Sequence, residues 1–275
     1  MSISPSPDLI SAGALPAEEV RLEGEVAEGV FAEMMLSPEA YAFFFDVDGT
    51  LLDIAPKPDG VKVPADLLSD LQRLHAATDG AVALVSGRAI ANLDALFHPV
   101  RFPASGIHGA ELRVSSEAAI SLSSEALPDS LRAALAALPS DMPAVLVEDK
   151  GAAVAVHYRA EPDLGPDLKQ IIEGLVAPHP GLGILAGHFV FEVKPTGHDK
   201  GAAVHAFMRD PPFADRTPVF IGDDVTDEAG FAAVRALGGT AISIGRRFEN
   251  VEIMLSEPGD VRALVRNLID QQGRN

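Results

Sequence analysis

Apolar positions along the chain follow two rhythms. From Tyr41 onward, short runs without polar interruption alternate with stretches whose apolar residues recur every three or four positions. YAFFFDV (41–47), GAVALVSG (80–87), TPVFIGDD (217–224) and TAISIG (240–245) are runs of the first kind. Strands buried on both faces read this way, because neither face can carry polar side chains. Residues 65–76 place Leu67, Leu68, Leu71 and Leu74 on one helical stripe, and 89–96, 226–237 and 258–272 are also helical in spacing. Gly238-Gly239 stops the third of these, and FPASGIHG (102–109) reads as strand, then loop. Strands alternating with helices predict an α/β fold built on a doubly wound parallel sheet.

The rhythm changes across 111–194. AVLVEDKGAAVAVHYR (144–159) is two strands around the turn signal Asp149-Lys150-Gly151, and GILAGHFVFEV (183–193) is a second pair around Gly187-His188. Helices at about 128–138 and 163–177 separate them. Paired strands with helices on one side make an α+β unit, so 111–194 is expected to be a domain inserted between 40–110 and 195–275. Strand alternation puts Val154, Val156 and Tyr158 on one face and Ala153, Ala155, His157 and Arg159 on the other. Phe189, Phe191 and Val193 likewise oppose Val190, Glu192 and Lys194. The apolar face packs on the helices. The polar face either meets water or roofs a site, to which it would bring Glu148, Lys150, His157, Arg159, Glu192 and Lys194, a mixture suited to a polyhydroxylated ligand.

Residues 1–39 stand apart, with eight acidic residues and Arg21 as their single base. They are expected to be a solvated tail, disordered or partly helical, with 16–36 as the helical candidate. Over the 275 residues the formal charge is 21 − 40 = −19, which argues against nucleic acid as a partner. If the ligand is an anion, the site must reverse that field locally. No cysteine is present, which removes disulfides, thiolate metal sites and thiol nucleophiles. No apolar run approaches the roughly 18 residues of a membrane span. Without a basic and then apolar leader, a cytoplasmic protein is expected, with a monomer favoured.

Two of the buried runs end in paired carboxylates. Asp46 and Asp48 close the first, and Asp223 and Asp224 the third, with Asp227 three residues on. Ligands of parallel sheets bind at the carboxyl ends of the strands. Carboxylates gathered there cannot all stay ionised unaided, and a hard divalent cation resolves the conflict; an all-oxygen ligand set favours Mg²⁺. Ser86, at the end of the second run, can donate to an anionic oxygen. Lys200 opens a helix before the Asp223 run, and backbone N–H groups from Val47 to Thr50 can cradle a phosphate. Metal, lysine, hydroxyl and amides describe phosphoryl transfer. Two roles remain for Asp46 and Asp48: one carboxylate attacks phosphorus, and the other exchanges protons with the leaving group and water.

DVDGT, VSGR, the lysine of DKG and GDDVTDE resemble the four motifs of the haloacid dehalogenase-like phosphatases. That resemblance implies a Rossmann-like core with an inserted cap. It makes Asp46 the nucleophile and Asp48 the general acid/base, which would bind Mg²⁺ through its backbone carbonyl beside the side chains of Asp46 and Asp223. Ser86 and Lys200 would hold the phosphate. FFFDVDGTLLDIAPKPDGVKVP, ALVSGRAIANLDAL, FPASGIHGAELR, EDKGAAVAVHYR, EVKPTGHDKGAAVHAFM and TPVFIGDDVTDEAGF are similar to the trehalose-6-phosphate phosphatase family in its bacterial single-enzyme form. The match runs over about 41–250, cap phrases included. It implies a Mg²⁺-dependent hydrolase releasing phosphate from trehalose 6-phosphate, the last step of trehalose biosynthesis, with the sugar between core and cap. Cap residues Glu148, Lys150 and Glu192 would contact the sugar. Gly49, Thr50, Gly87, Arg88 and His108, within the matched motifs, join them as substrate-binding candidates.

Other patterns weigh less. GLGILA (181–186) fits a dinucleotide fingerprint but follows no strand and precedes no helix. Eight histidines show no metal-ligand spacing, and His157 and His198 are read as hydrogen-bonding supports. There is no G-x-S-x-G element. The rival readings are a phosphatase for another sugar phosphate, such as sucrose 6-phosphate, a receiver-type phospho-acceptor, and a catalytically silent binding module. A receiver is shorter and carries no cap.

Overall fold

The computed structural model describes residues 25–54, 61–122, 127–187, 189–249 and 251–270. Its larger sheet is built around β1 (Tyr41–Phe45), buried along its whole length. On one side β1 pairs in parallel with β2 (Val82–Val85), followed by β3 (Ala104–Gly106). On the other side lie β10 (Thr217–Gly222), β11 (Thr240–Ile244) and β12 (Ile253–Leu255), all parallel. The chain therefore winds outward one way from β1 and later the other way from β10. The β1–β10 border is the point at which the winding reverses, where an open parallel sheet leaves a crevice at the strands' carboxyl ends.

The aromatic run YAFFF feeds two cores. Tyr41, Phe43 and Phe45 face one layer with α2 (Ala65–Ala77), α3 (Ile90–Leu96) and α8 (Pro258–Asp270). Ala42 and Phe44 face the other, with α6 (Lys200–Phe207) and α7 (Glu228–Ala236). A strand apolar at every position is the expected consequence of helices on both faces. No helix among the described residues is long and apolar enough to cross a membrane.

The second sheet has the order β6 (Leu146–Asp149), β7 (Val154–His157), β9 (Val190–Pro195), β8 (Leu182–Gly187), all antiparallel. Leu131, Leu135 and Leu138 of α4 (Asp129–Asp141) and Leu168, Ile172 and Val176 of α5 (Gly165–Val176) pack on its apolar face against Val154, Val156, Phe191 and Val193. That is the face alternation assigns to the interior. GLGILA falls largely in strand β8, with no helix after it.

Three expectations change. Residues 111–122 do not join the second sheet: β4 (Glu111–Arg113), antiparallel to β3, and β5 (Ser121–Leu122), antiparallel to β4, extend the larger one. The buried Arg113 anchors β4 there with a bidentate bond to Asp94 at 2.6 and 2.7 Å and a bond to the Phe102 carbonyl at 2.7 Å. Secondly, the 1–39 segment is not a solvated tail throughout. Residues Glu25–Leu36 form α1, and Ala27, Phe31, Met34 and Met35 sit in the same core layer as α8. Their spacing of four, three and one is one helical stripe. The acidic residues around them mask that stripe in composition. Residues 1–24 lie outside the described residues. Thirdly, β12 is a three-residue strand too short to register as a run.

Phe31 is 1% exposed. The Phe31→Ala variant is expected to lose about 3–5 kcal/mol of stability, the usual cost of an emptied aromatic site. Urea unfolding checks this; an unchanged midpoint would mean that α1 does not pack as described.

Candidate active site

Parallel register brings the carboxylates together. Phe45 lies opposite Ile221, and the Asp46 N–H donates to the Ile221 carbonyl at 2.9 Å. Asp46, just beyond β1, and Asp223, just beyond β10, are thus neighbours on one sheet edge. Ser86, just beyond β2, flanks Asp46 on the other side. A glycine is required between them: Gly49 has φ of +89°, and a Cβ there would lie 2.3 Å from the Asp223 carboxylate.

Lys200 joins the parts. Its Nζ donates to Asp46 Oδ1 at 2.7 Å and to Asp227 Oδ1 at 2.6 Å, and all three residues are buried. Burial alone would lower the lysine's pKa, but Asp46 and Asp227 outweigh it and hold it above the ordinary range. Helix α6 delivers this ammonium from its first residue. Asp199 caps the helix by accepting from the Ala202 N–H at 2.7 Å. The next residue, Gly201, lets α6 press onto α7; a Cβ there would sit 2.4 Å from the Ala229 carbonyl oxygen.

Asp46, Asp223 and Asp227 each bring a carboxylate oxygen within 4.8 Å of the others. Burial first, then the charges of Asp227 and Asp223, drive the Asp46 pKa well up against the pull of Lys200. Burial chiefly, with the Asp227 charge, pushes Asp223 up to about 6 against its bond from Thr50. With these oxygens so close, the carboxylates cannot all ionise comfortably unless a cation joins them. This all-oxygen set, three carboxylates against the single charge of Lys200, fits a hard divalent cation.

The five metal candidates separate. Asp227 Oδ1 is taken by Lys200, and Oδ2 accepts from the N–H groups of Asp223 and Asp224 at 3.0 and 2.9 Å. It therefore orients the loop after β10. Asp224 turns outward, half-exposed and 3.4 Å from Arg246. Both oxygens of Asp48 are held in a fork by Arg88, each at 2.6 Å. Only Asp46 and Asp223 keep carboxylate oxygen capacity facing the cluster. The Asp224 side chain, read from sequence as a metal candidate, turns to an arginine instead; Asp48, expected to bind through its backbone carbonyl, has its carboxylate held by Arg88.

Around this edge, Thr50 Oγ1 donates to Asp223 Oδ1 at 2.9 Å. The Ser86 hydroxyl accepts from the Arg88 N–H at 3.1 Å. Of the expected cradle, the Gly49 N–H is committed to the Leu52 carbonyl at 2.8 Å. The polar face of the second sheet meets this edge rather than water: Lys150 Nζ donates to the Gly87 carbonyl at 3.3 Å and to Glu192 at 2.9 Å. His157 pairs with Glu148 at 3.1 Å, a bond that holds the Glu148 pKa down. Lys194 reaches the carbonyl of His198, and Arg159 is exposed.

One positioning residue escaped the sequence reading. Glu111 Oε2 accepts from the Ile90 N–H at 2.7 Å, capping α3 from β4, 21 residues away. Its only signal is its place in FPASGIHGAELR, since a helix cap drawn from a distant strand has no local signature.

A two-layered parallel core, an antiparallel unit closing over its carboxyl edge and a lysine bonded to buried aspartates there define a haloacid dehalogenase-like phosphatase with a cap. Comparison narrows this. A family model described as Trehalose-phosphatase matches residues 44–254. The trehalose-6-phosphate phosphatase of Escherichia coli K12 is 45% identical over 206 residues, 74% of this chain and 77% of that protein. A probable trehalose-phosphate phosphatase of Sinorhizobium fredii is 43% identical over 224 residues, 81% of this chain and 84% of its own. The solved C-terminal domain of Candida albicans trehalose-6-phosphate phosphatase matches with a TM-score of 0.76 at 20% identity, covering 92% of this chain and 99% of that one, a likeness of fold. The chain belongs to the trehalose-phosphatase family.

Lys200→Met leaves two buried carboxylates without their cation. Breaking such a pair costs about 3–5 kcal/mol, and this loss is expected in metal-free protein at pH 7.5. It shrinks as pH falls and the freed carboxylates take up protons. Urea titrations at two pH values check both the size and the trend.

Proposed function

We propose that the protein hydrolyses trehalose 6-phosphate to trehalose and phosphate through an aspartyl phosphate on Asp46. The observation that carries this reading is the bond from Lys200 to Asp46 at the switch point of the sheet, with Asp48 two residues on, in a chain of the trehalose-phosphatase family. Asp46 Oδ attacks phosphorus in line with the departing sugar oxygen. Asp48 gives that oxygen a proton and then takes one from the water that cleaves the acyl phosphate. The Arg88 fork engages both oxygens of Asp48 in the resting state; once it opens, Asp48 takes from solvent the proton that it gives to the leaving oxygen. Ser86, Lys200 and the N–H groups of Val47, Asp48 and Thr50 hold the phosphoryl oxygens. Lys150, Glu148 and Glu192 meet the sugar from the cap.

Asp46 and Asp223 are the side chains that would hold Mg²⁺, with the Asp48 carbonyl. Bound there, the ion would neutralise charge on the phosphoryl group. Both side chains must lose protons for this. The sign follows from their raised pKa values: the metal-free folded state binds more protons than the unfolded chain, so its stability falls as pH rises from about 4 through 6 and above. Metal binding offsets that loss. Saturating Mg²⁺ is expected to raise Tm by roughly 5 °C at pH 7.5 and much less at pH 5, read by calorimetry. An equal rise at both values would place the ion elsewhere.

Asp46→Asn is expected to lower turnover by at least ~10³-fold with the fold intact by circular dichroism. Phosphate release across trehalose, sucrose, glucose and mannose 6-phosphates and p-nitrophenyl phosphate tests the substrate. A wild-type protein without preference for trehalose 6-phosphate would sink the assignment while leaving the chemistry.

A further inference from the structure

The turn that follows Asp46 is closed mostly by its own bonds. The Val47 carbonyl accepts from the N–H groups of Leu51 and Leu52 at 3.1 and 2.9 Å, and the Gly49 N–H donates to the Leu52 carbonyl at 2.8 Å. The Leu51 and Leu52 side chains are buried in the core layer of α2 and α8. The Leu51 carbonyl takes its bond from outside the turn: Arg262 Nη1 donates to it at 3.1 Å. Arg262 Nη2 lies 3.4 Å from Asp53 Oδ2, two residues on. The Arg262 side chain is 23% exposed and that of Asp53 74%, so the bond to the carbonyl is the sheltered half of this fork and the ion pair the solvated one.

Helix α8 delivers this arginine. It follows β12, which runs parallel to the other strands and so ends on the same side of the sheet as Asp46. Asp260 closes its start, accepting from the N–H groups of Ser256 and Glu257 at 2.9 and 3.2 Å. Val261, Leu264, Val265 and Leu268 bury one stripe, and Arg262 and Arg266, four positions apart, line its flank. Arg266 donates to Asp66 at 2.9 Å and to Asp70 at 3.4 Å, both on α2. The two arginines thus grip the chain where it leaves the catalytic turn and again where it enters α2. Since α8 begins at Pro258, beyond the matched residues 44–254, the family likeness does not account for either contact.

We infer that Arg262 is a positioning residue for catalysis: by holding the Leu51 carbonyl it fixes the turn that presents Asp48 and the phosphate-binding amides. This rests on the phosphatase reading above. The turn is also anchored by its buried leucines, so losing the arginine leaves the fold in place and loosens only the placement of the turn. A displacement of reacting groups by about 1 Å can cost on the order of 10²-fold in rate. Arg266 supplies the control, being an arginine of the same helix whose bonds go to α2 instead of the turn.

The test measures kcat and KM for trehalose 6-phosphate and p-nitrophenyl phosphate, with saturating Mg²⁺, in the full chain folded by circular dichroism. Arg262→Met keeps the apolar stem and removes the donor; kcat is expected to fall at least about tenfold on both esters, with KM for the sugar ester within about threefold of wild type. Arg262→Lys restores a donor and is expected to recover part of the loss. Arg266→Met is expected to keep kcat within about twofold of wild type. A kcat for Arg262→Met within about twofold of wild type overturns the proposal. An equal fall in Arg266→Met also overturns it, since both arginines would then serve only to pack α8. A loss confined to the sugar ester overturns it too, by placing Arg262 at the sugar. If Arg262→Met does not fold, Arg262→Gln, too short to reach the Leu51 carbonyl, is read in its place. If wild type shows no preference for trehalose 6-phosphate, the substrate assignment fails, and the p-nitrophenyl phosphate rates still decide the role of Arg262.

Discussion

One buried ammonium organises the catalytic edge. Lys200 bonds Asp46 and Asp227 at once, and without it two carboxylates would face each other in a water-poor crevice. Much of the nearby architecture serves to bring it there. Asp199 starts its helix, Gly201 lets that helix close on α7, and Asp227 in turn holds the amides of Asp223 and Asp224. Burial, and after it a negative charge that exceeds the positive, makes Asp46 and Asp223 resist ionising, and a divalent cation suits the remaining oxygens.

The second organising contact joins the two sheets. Lys150 crosses from the cap to the Gly87 carbonyl of the core and bonds Glu192 on the way. Together with Lys194 and Lys200 it forms a basic neighbourhood around His108. A chain with a net charge of −19 thereby places three lysines together where an anionic substrate must enter. The carboxylates Glu148 and Glu192 stand among these cations, so the pocket has partners for hydroxyl groups as well as for phosphate.

Much of the core was legible in the order of residues. YAFFF, VALV and TPVFIG carry no polar side chain beyond the Tyr41 hydroxyl and the opening Thr217, and strands of that kind have helices on both faces. A carboxylate placed at the end of two such strands belongs on the same edge, so Asp46 and Asp223 were findable before any coordinates. The second sheet's hairpins declared themselves through Gly151 and through alternating apolar positions. The α1 stripe of Ala27, Phe31, Met34 and Met35 was equally present but lay under an acidic composition that pointed to solvent.

The sequence by itself determined the longer strands and helices, which strand ends carry carboxylates, and which cap face is apolar, because these depend on spacings of one to four residues. Tertiary structure decided what each carboxylate does. Asp223 faces the cluster and Asp224 an arginine 22 positions on; Asp48 is forked by Arg88, 40 positions away. It also decided that 111–122 joins the larger sheet, that Glu111 caps α3, and that the cap's polar face meets the core rather than water. Each outcome is a competition among partners far apart in sequence, settled by distance and burial, which no local pattern encodes.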